Sequence, residues 1–237
     1  MPADWLRAGA CLLLLLATSC SEADDAGAGK TRGILSPGDS LGGDVPAGAI
    51  VLGREAWVNE RDKGDLGWLW RDGVLEIAPG SGNLRTRERF GDCRLHLEFK
   101  IRGGESSDWK LDGNSGVYLQ RRYELQILNS HGRKPGDETC GAIYITRKPD
   151  AEASRPAGEW QSYDLVFRAP RWDGEDKVQD ARLSVLHNGV LIHDDVRIPG
   201  KTGAGKEEAP SEEPLRLQDH GSAVQFRNIW IQRLQLD

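Results

Sequence analysis

The chain is poor in several things whose absence narrows its class. It has one methionine, four cysteines, and only four tyrosines and four phenylalanines among 237 residues. It contains neither C-x-x-C nor H-E-x-x-H, so the compact zinc signatures are missing. It has no excess of positive charge: 31 bases face 37 acids, for a formal net charge of −6. A protein that grips nucleic-acid phosphates needs a positive surface, so no nucleic-acid partner is expected. No segment offers a convincing helix of three turns, and no internal repeat is visible. What is abundant is glycine, at 29 residues, and tryptophan, which at eight makes up half of the aromatic side chains. Such glycine content disfavours long helices and suits a β protein rich in turns.

The longest apolar run is short and lies at the N-terminus. Arg7 supplies a positive charge, Leu12 to Leu16 are unbroken leucine, and Ala17, Thr18 and Ser19 lead into Cys20. A spanning helix needs roughly 20 apolar residues, so this stretch reads as an export signal instead. Small residues directly before a cysteine resemble the lipobox of bacterial lipoproteins, with Ala17 standing where leucine is commonest. Residues 1–20 are therefore expected to be a lipoprotein-type signal peptide. Cys20 would be the lipidated new N-terminus, anchoring the protein to a membrane of a bacterial cell envelope. An ordinary secretory signal cleaved nearby is the alternative. Cys11 falls inside the signal, which leaves Cys93 and Cys140 in the folded part, either as two buried thiols or as a pair formed in an oxidising compartment.

Residues 21–48 are rich in Ala, Gly and Asp, contain Pro37 and Pro46, and lack periodic apolar positions, as expected of a flexible linker. From about residue 49 to 237 the hydrophobic period is two. Leu95-His96-Leu97-Glu98-Phe99-Lys100-Ile101 alternates strictly, as a half-buried strand does. Further strands are predicted at 73–77, 116–120, 123–128, 141–146 and 163–168. Arg182–His187 and Val190–His193 flank Asn188-Gly189, a strong hairpin signal. The alternation of 224–236 slips near Asn228, which predicts a bulge. The sum is an all-β sandwich or jelly roll. Residues 199–214 read as an exposed low-complexity loop. Gly200–Lys206 spells G-x-x-x-x-G-K, but Glu207 replaces the Ser or Thr of a phosphate loop and no strand-to-helix context exists.

Polar residues concentrate on three strand faces. Alternation places Tyr118 with Gln120, Glu124 with Gln126, and Arg216 with Gln218 and His220, each set opposite its strand's apolar residues. Surfaces that combine amides, a carboxylate and aromatics suit a sugar, whose hydroxyls need hydrogen-bond partners and whose C–H face needs a ring. Solvated faces of exposed strands are the plain alternative.

Asn114-Ser115-Gly116-Val117-Tyr118-Leu119-Gln120, Tyr123-Glu124-Leu125-Gln126, Gly141-Ala142-Ile143-Tyr144, Gly158-Glu159-Trp160-Gln161, His187-Asn188-Gly189, Leu217-Gln218-Asp219-His220-Gly221 and Phe226-Arg227-Asn228-Ile229 together resemble the DUF1080 family, also called the 3-keto-disaccharide hydrolase domain. The likeness runs from about Ile50 to Leu236. It implies a concanavalin A-like jelly roll of two antiparallel sheets, with sugars bound on the concave face. It also implies action on glycosides already oxidised at C3 by a partner sugar oxidoreductase.

The chemistry follows from the ketone. A C3 carbonyl acidifies the C2 hydrogen; a base removes it, the C1 substituent leaves, and water adds to the unsaturated product. This needs a base near C2, donors to the enolate oxygen and an acid for the leaving group, but not the carboxylate pair of ordinary glycosidases. Glu124 and His220 are the candidate catalytic pair, with the direction of proton transfer unassigned. Asn114, Gln126 and Gln218 are candidate hydroxyl or enolate donors, Tyr118 and Gln120 line the same surface, Tyr144 is a donor to the keto oxygen and Trp160 a stacking ring. Tyr144 and Trp160 have a packing role as their alternative, and His96 and His187 read as structural. Asp112, Asp219 and His220 are ligand types for a divalent ion, without a compact signature. A non-catalytic lectin-like module and a structural envelope lipoprotein are the rival functions.

Overall fold

The computed structural model describes residues 34–36, 40–61 and 64–237. Among them the regular elements are β-strands and one short 3₁₀ turn, Arg54–Ala56. The strands are β1 (Ile50–Val51), β2 (Trp57–Asn59), β3 (Leu69–Arg71), β4 (Val74–Glu76), β5 (Leu84–Thr86), β6 (Cys93–Ile101), β7 (Ser115–Leu119), β8 (Tyr123–Ile127), β9 (Trp160–Arg168), β10 (Arg171–Asp173), β11 (Asp176–Gln179), β12 (Ala181–His187), β13 (Val190–Ile198), β14 (Arg216–Leu217) and β15 (Val224–Arg233). An eight-stranded sheet runs β13-β12-β9-β6-β15-β4-β3, with β1 also on β15. A five-stranded sheet runs β2-β5-β14-β7-β8, and β10-β11 form a ribbon. Every pairing is antiparallel. The protein is an all-β sandwich, as its alternating sequence leads one to expect, and of the concanavalin type that the family resemblance implies.

The core lies between the two large sheets. Leu95, Leu97, Phe99 and Ile101 from β6 and Tyr163, Leu165 and Phe167 from β9 meet Val117, Leu119, Leu125, Ile127 and Leu217 from the smaller sheet. Burial of such side chains is worth roughly 1.5–3 kcal/mol each. The register follows, because a one-residue slip would turn each of these rows to the outside. The Asn188-Gly189 hairpin forms with both residues at positive φ, 50° and 79°, as a type I′ turn requires. The slip in β15 also falls where the pattern placed it. Register shifts between Arg227 and Trp230, with Asn228 at φ 45°.

Three expectations are corrected. First, 141–146 is not a strand. Gly141 and Ile145 take positive φ, 82° and 49°, which breaks an extended run. The segment instead satisfies the free edge of β8: Gln126 N–H donates to Ala142 O, Gly141 N–H to Gln126 O and Tyr144 N–H to Glu124 O. Second, 199–214 is no loose loop. Thr202 N–H donates to Arg122 O and Lys206 N–H to Arg121 O, while the buried Arg122 guanidinium donates to Glu207 O and Ser211 O. A buried guanidinium must find acceptors, and here a Pro/Glu-rich segment provides them. Third, the described part of the expected linker, residues 34–36 and 40–48, lies against the sandwich. Leu35 is buried against Val166 and Leu186, Ser40 Oγ donates to Asp164 and Ser162, and Gly42 N–H donates to Glu98 Oε1 at 2.6 Å. Of the two alternatives left open for Cys93 and Cys140, the structure shows the unpaired one: both are buried free thiols. Burial pushes Cys140 up to about 11 and Cys93 higher still. The signal peptide and Cys20 lie outside the described residues. No helix among the described residues is long and apolar enough to cross a membrane.

Candidate functional site

Register assembles the site. Arg85 on β5 stands opposite Arg216 on β14, Arg216 opposite Tyr118 on β7, and Tyr118 opposite Glu124 on β8. Their strand neighbours Leu84, Leu217, Val117 and Leu125 all enter the core, so this row faces outward. The adjacent row holds Gln218, whose N–H donates to Gly116 O, then Gly116 and Gln126.

Glu124 is the chemical centre of this face. Its side chain is buried, and Oε2 accepts the Tyr118 hydroxyl at 2.7 Å. Burial pushes the carboxyl up to about 7, although the Tyr118 hydrogen bond and the Arg216 charge both favour its ionised form. Desolvation therefore wins, and the group can gain or lose a proton near neutrality. Burial and the Glu124 charge in turn push the Tyr118 phenol above its ordinary range, so Tyr118 stays a donor. The Arg216 guanidinium carbon sits 5.0 Å over the Tyr118 ring. Gln218 Nε2 donates to Tyr118 Oη at 3.2 Å, while its Oε1 is buried without a partner.

Two glycines shape the pocket around that carboxyl. A Cβ at Gly116 would lie 2.4 Å from Glu124 Oε1, so only a bare Cα lets the carboxyl fold across β7. At Gly203 a Cβ would meet the Tyr144 ring at 2.8 Å and Glu124 Oε2 at 3.3 Å. The 199–214 strap thus forms one wall of the site, and Thr202 Oγ1 accepts the N–H of Glu124 at 2.7 Å. Tyr144 is half-buried, its phenol pushed up by burial and by the charges of Glu138 and Glu124. The next residue, Ile145, is β-branched at positive φ, a strained position of the kind that collects near functional sites.

Of the residues expected from sequence, Glu124, Tyr118, Gln218 and Tyr144 come together, with Gln126 beside them. Gln126 is buried and its Oε1 accepts the N–H of Ile127. Gln120 does not join them. It sits at positive φ in the β7–β8 turn, its amide spent on Phe90 O and on Arg122, because the turn ends the alternation one residue early. Trp160 belongs to the other sheet, where Arg227 and Lys100 lie 4.0 and 4.9 Å from its ring. Asn114 donates to Lys110 O and holds the preceding loop. His220 is exposed two residues beyond Gln218, with no hydrogen bond or ion pair to Glu124. Asp112 is committed to Gly104 N–H, Glu105 N–H and Asn129, and Asp219 to Gly82 N–H and Gly221 N–H. No group of three His, Cys, Asp or Glu among the described residues is arranged to hold a metal ion. Gly116, Thr202 and Gly203 were not legible as site residues, since nothing local marks a glycine that yields space to a carboxylate or a loop that reaches 78 residues back.

A sandwich with a buried, titrating carboxyl among tyrosine, amide and guanidinium groups defines a carbohydrate-related β-sandwich protein. The family described as the 3-keto-alpha-glucoside-1,2-lyase-like domain matches residues 53–232, and the chain belongs to it. A candidate glycosyl hydrolase of Parabacteroides distasonis ATCC 8503 is 30% identical, with a TM-score of 0.74 over 84% of this chain and 90% of its own. A second candidate glycosyl hydrolase from that organism shares the fold at 20% identity, with a TM-score of 0.59 over 79% of this chain and 94% of its own. No curated protein matches it.

Proposed function

We propose that the protein cleaves glycosides already oxidised at C3, by proton abstraction at C2 and elimination at C1, followed by addition of water. The observation that carries this reading is the Glu124 carboxyl, buried and poised near 7 beside Tyr118. Ionised Glu124 takes the C2 proton, and the electron pair moves onto the keto oxygen as an enolate. Tyr144 and Gln218 are the donors for that oxygen and for neighbouring hydroxyls, and the buried, unpartnered Oε1 of Gln218 accepts a sugar hydroxyl. The enolate then re-forms the C3 carbonyl as a C1–C2 double bond forms and the C1–O bond breaks, and the departing oxygen takes a proton, a role we give to His220. Water then adds across C1 and C2, so the net change is hydrolysis. Family membership supports the substrate class. It also motivates a sugar 3-oxidoreductase upstream, and the N-terminal sequence motivates anchoring of the enzyme to the cell envelope through Cys20.

The test is incubation of the purified protein with 3-keto-disaccharides and their unoxidised parents. Cleavage of the keto forms alone is expected, with a primary isotope effect from deuterium at C2 when abstraction limits the rate. Comparable turnover of both forms would mean an ordinary glycosidase, and binding without turnover of either would mean a lectin-like module.

A further inference from the structure

The face beside Glu124 carries more positive charge than its carboxylates match. Arg85 and Arg216 stand directly opposite each other on adjacent strands, pointing outward, and like charges so placed destabilise a sheet. One carboxylate, Glu60, serves both Arg216 (Nε to Oε2, 3.2 Å) and Arg121 (Nε to Oε1, 2.8 Å). Arg121 Nε is nevertheless buried without a well-directed hydrogen bond. The other acid within reach, Glu213, lies 3.6 Å from Arg121 but is held by Lys206 at 2.8 Å. Arg85 donates to the carbonyl of Thr86 at 3.2 Å and has no carboxylate partner among the described residues. In a chain of net charge −6, two guanidiniums sharing Glu60 and a third, Arg85, opposite Arg216 without a carboxylate partner among the described residues leave a place for an anion.

We propose that Arg85, Arg121 and Arg216 form a subsite for an anionic group on the substrate, a uronate carboxylate or a sulfate ester. The inference rests on Glu124 as the reacting centre and specifies the substrate class of that same site. Strands lie about 4.8 Å apart, so along the shared row the backbone at Arg216 is about 10 Å and that at Arg85 about 14 Å from the backbone at Glu124. The Arg216 guanidinium leans over the Tyr118 ring that lies between it and Glu124. The planar guanidinium fork matches the two-oxygen edge of a carboxylate or sulfate, which amide side chains suited to neutral hydroxyls do not.

The test is direct binding, by titration calorimetry, of three unoxidised probes: a glucuronate-containing disaccharide, its neutral methyl ester, and the same disaccharide backbone carrying a sulfate ester. Wild type should bind at least one anionic probe about ten-fold more tightly than the ester, and that margin should shrink as salt rises. In Arg85→Gln the margin should fall below about three-fold, with Arg85→Lys between. Preference for the carboxylate alone or the sulfate alone identifies the anion. Equal affinity for all three probes in wild type, or a margin that survives Arg85→Gln or high salt, overturns the subsite while leaving the catalytic reading intact. No binding of any probe by wild type likewise overturns the subsite, while the catalytic reading is decided separately by turnover of the 3-keto substrates.

Discussion

Each large sheet buries a glutamate on its outward face, and the two are held in opposite states. Glu98 on β6 lies under residues 40–43. Its Oε1 accepts Gly42 N–H at 2.6 Å and Asn228 Nδ2 at 3.0 Å, and its Oε2 accepts Arg227 Nε at 2.6 Å. Burial alone would raise its pKa, but these donors together outweigh it and hold the carboxyl below its ordinary value. Glu124 is likewise hidden from solvent but has one hydroxyl donor, and burial raises it to about 7. The difference lies in how many donors each carboxylate receives and in how strongly burial desolvates it. Glu98 is fixed as an anion that pins a covering segment. Glu124 is left able to exchange a proton.

Substitution of the two glutamates should separate these roles. Glu124→Gln should lower turnover of a confirmed 3-keto substrate by about 10²–10⁴-fold, and wild-type kcat/KM should rise with pH through about 7 as the base ionises. The same variant should be the more stable protein in alkali. Because the folded carboxyl titrates above its unfolded value, wild type loses stability as pH rises from about 4.5 to about 7, by up to about 3 kcal/mol. Glu124→Gln should lack that decline in denaturant melts. An unchanged rate would remove Glu124 from the mechanism.

The partner substitution has the opposite sign. Glu98→Gln should destabilise the protein by about 1–3 kcal/mol at pH 7, an effect that fades as acid protonates wild-type Glu98, and should leave turnover unchanged. A loss of activity without a loss of stability would mean that the two faces communicate. The smallest effect is expected at Thr202→Val, which removes the acceptor of the Glu124 N–H and should cost about 1 kcal/mol. No shift in melting temperature there would return 199–214 to the status of a loose loop.

Long alternating strands were legible because core burial demands period two, and β6, β9 and the Asn188-Gly189 hairpin follow from that alone. So did the outward direction of Tyr118, Glu124 and Gln218, since their strand neighbours are apolar. Gln120 and Trp160 were misplaced for different reasons. Alternation holds only to the end of a strand, and Gln120 lies in the turn; a lone tryptophan does not report which sheet its strand joins. Residues 40–48 and 199–214 looked like linker and loop because their composition is polar, yet their backbone and short side chains satisfy buried Glu98, Asp164 and Arg122.

By itself, then, the sequence determined the fold class, the direction of each long strand's faces and the family, because these depend on local period and on residues close in the chain. Tertiary structure alone decided that Arg85, Arg216, Tyr118 and Glu124 form one row and that Gly116 and Gly203 make room for the carboxyl. It also decided that Glu124, unlike Glu98, is left to titrate near neutrality. The physical reason is that a pKa and a pocket depend on which groups from distant strands supply donors, charge or empty space, and pairing between strands fixes those neighbours.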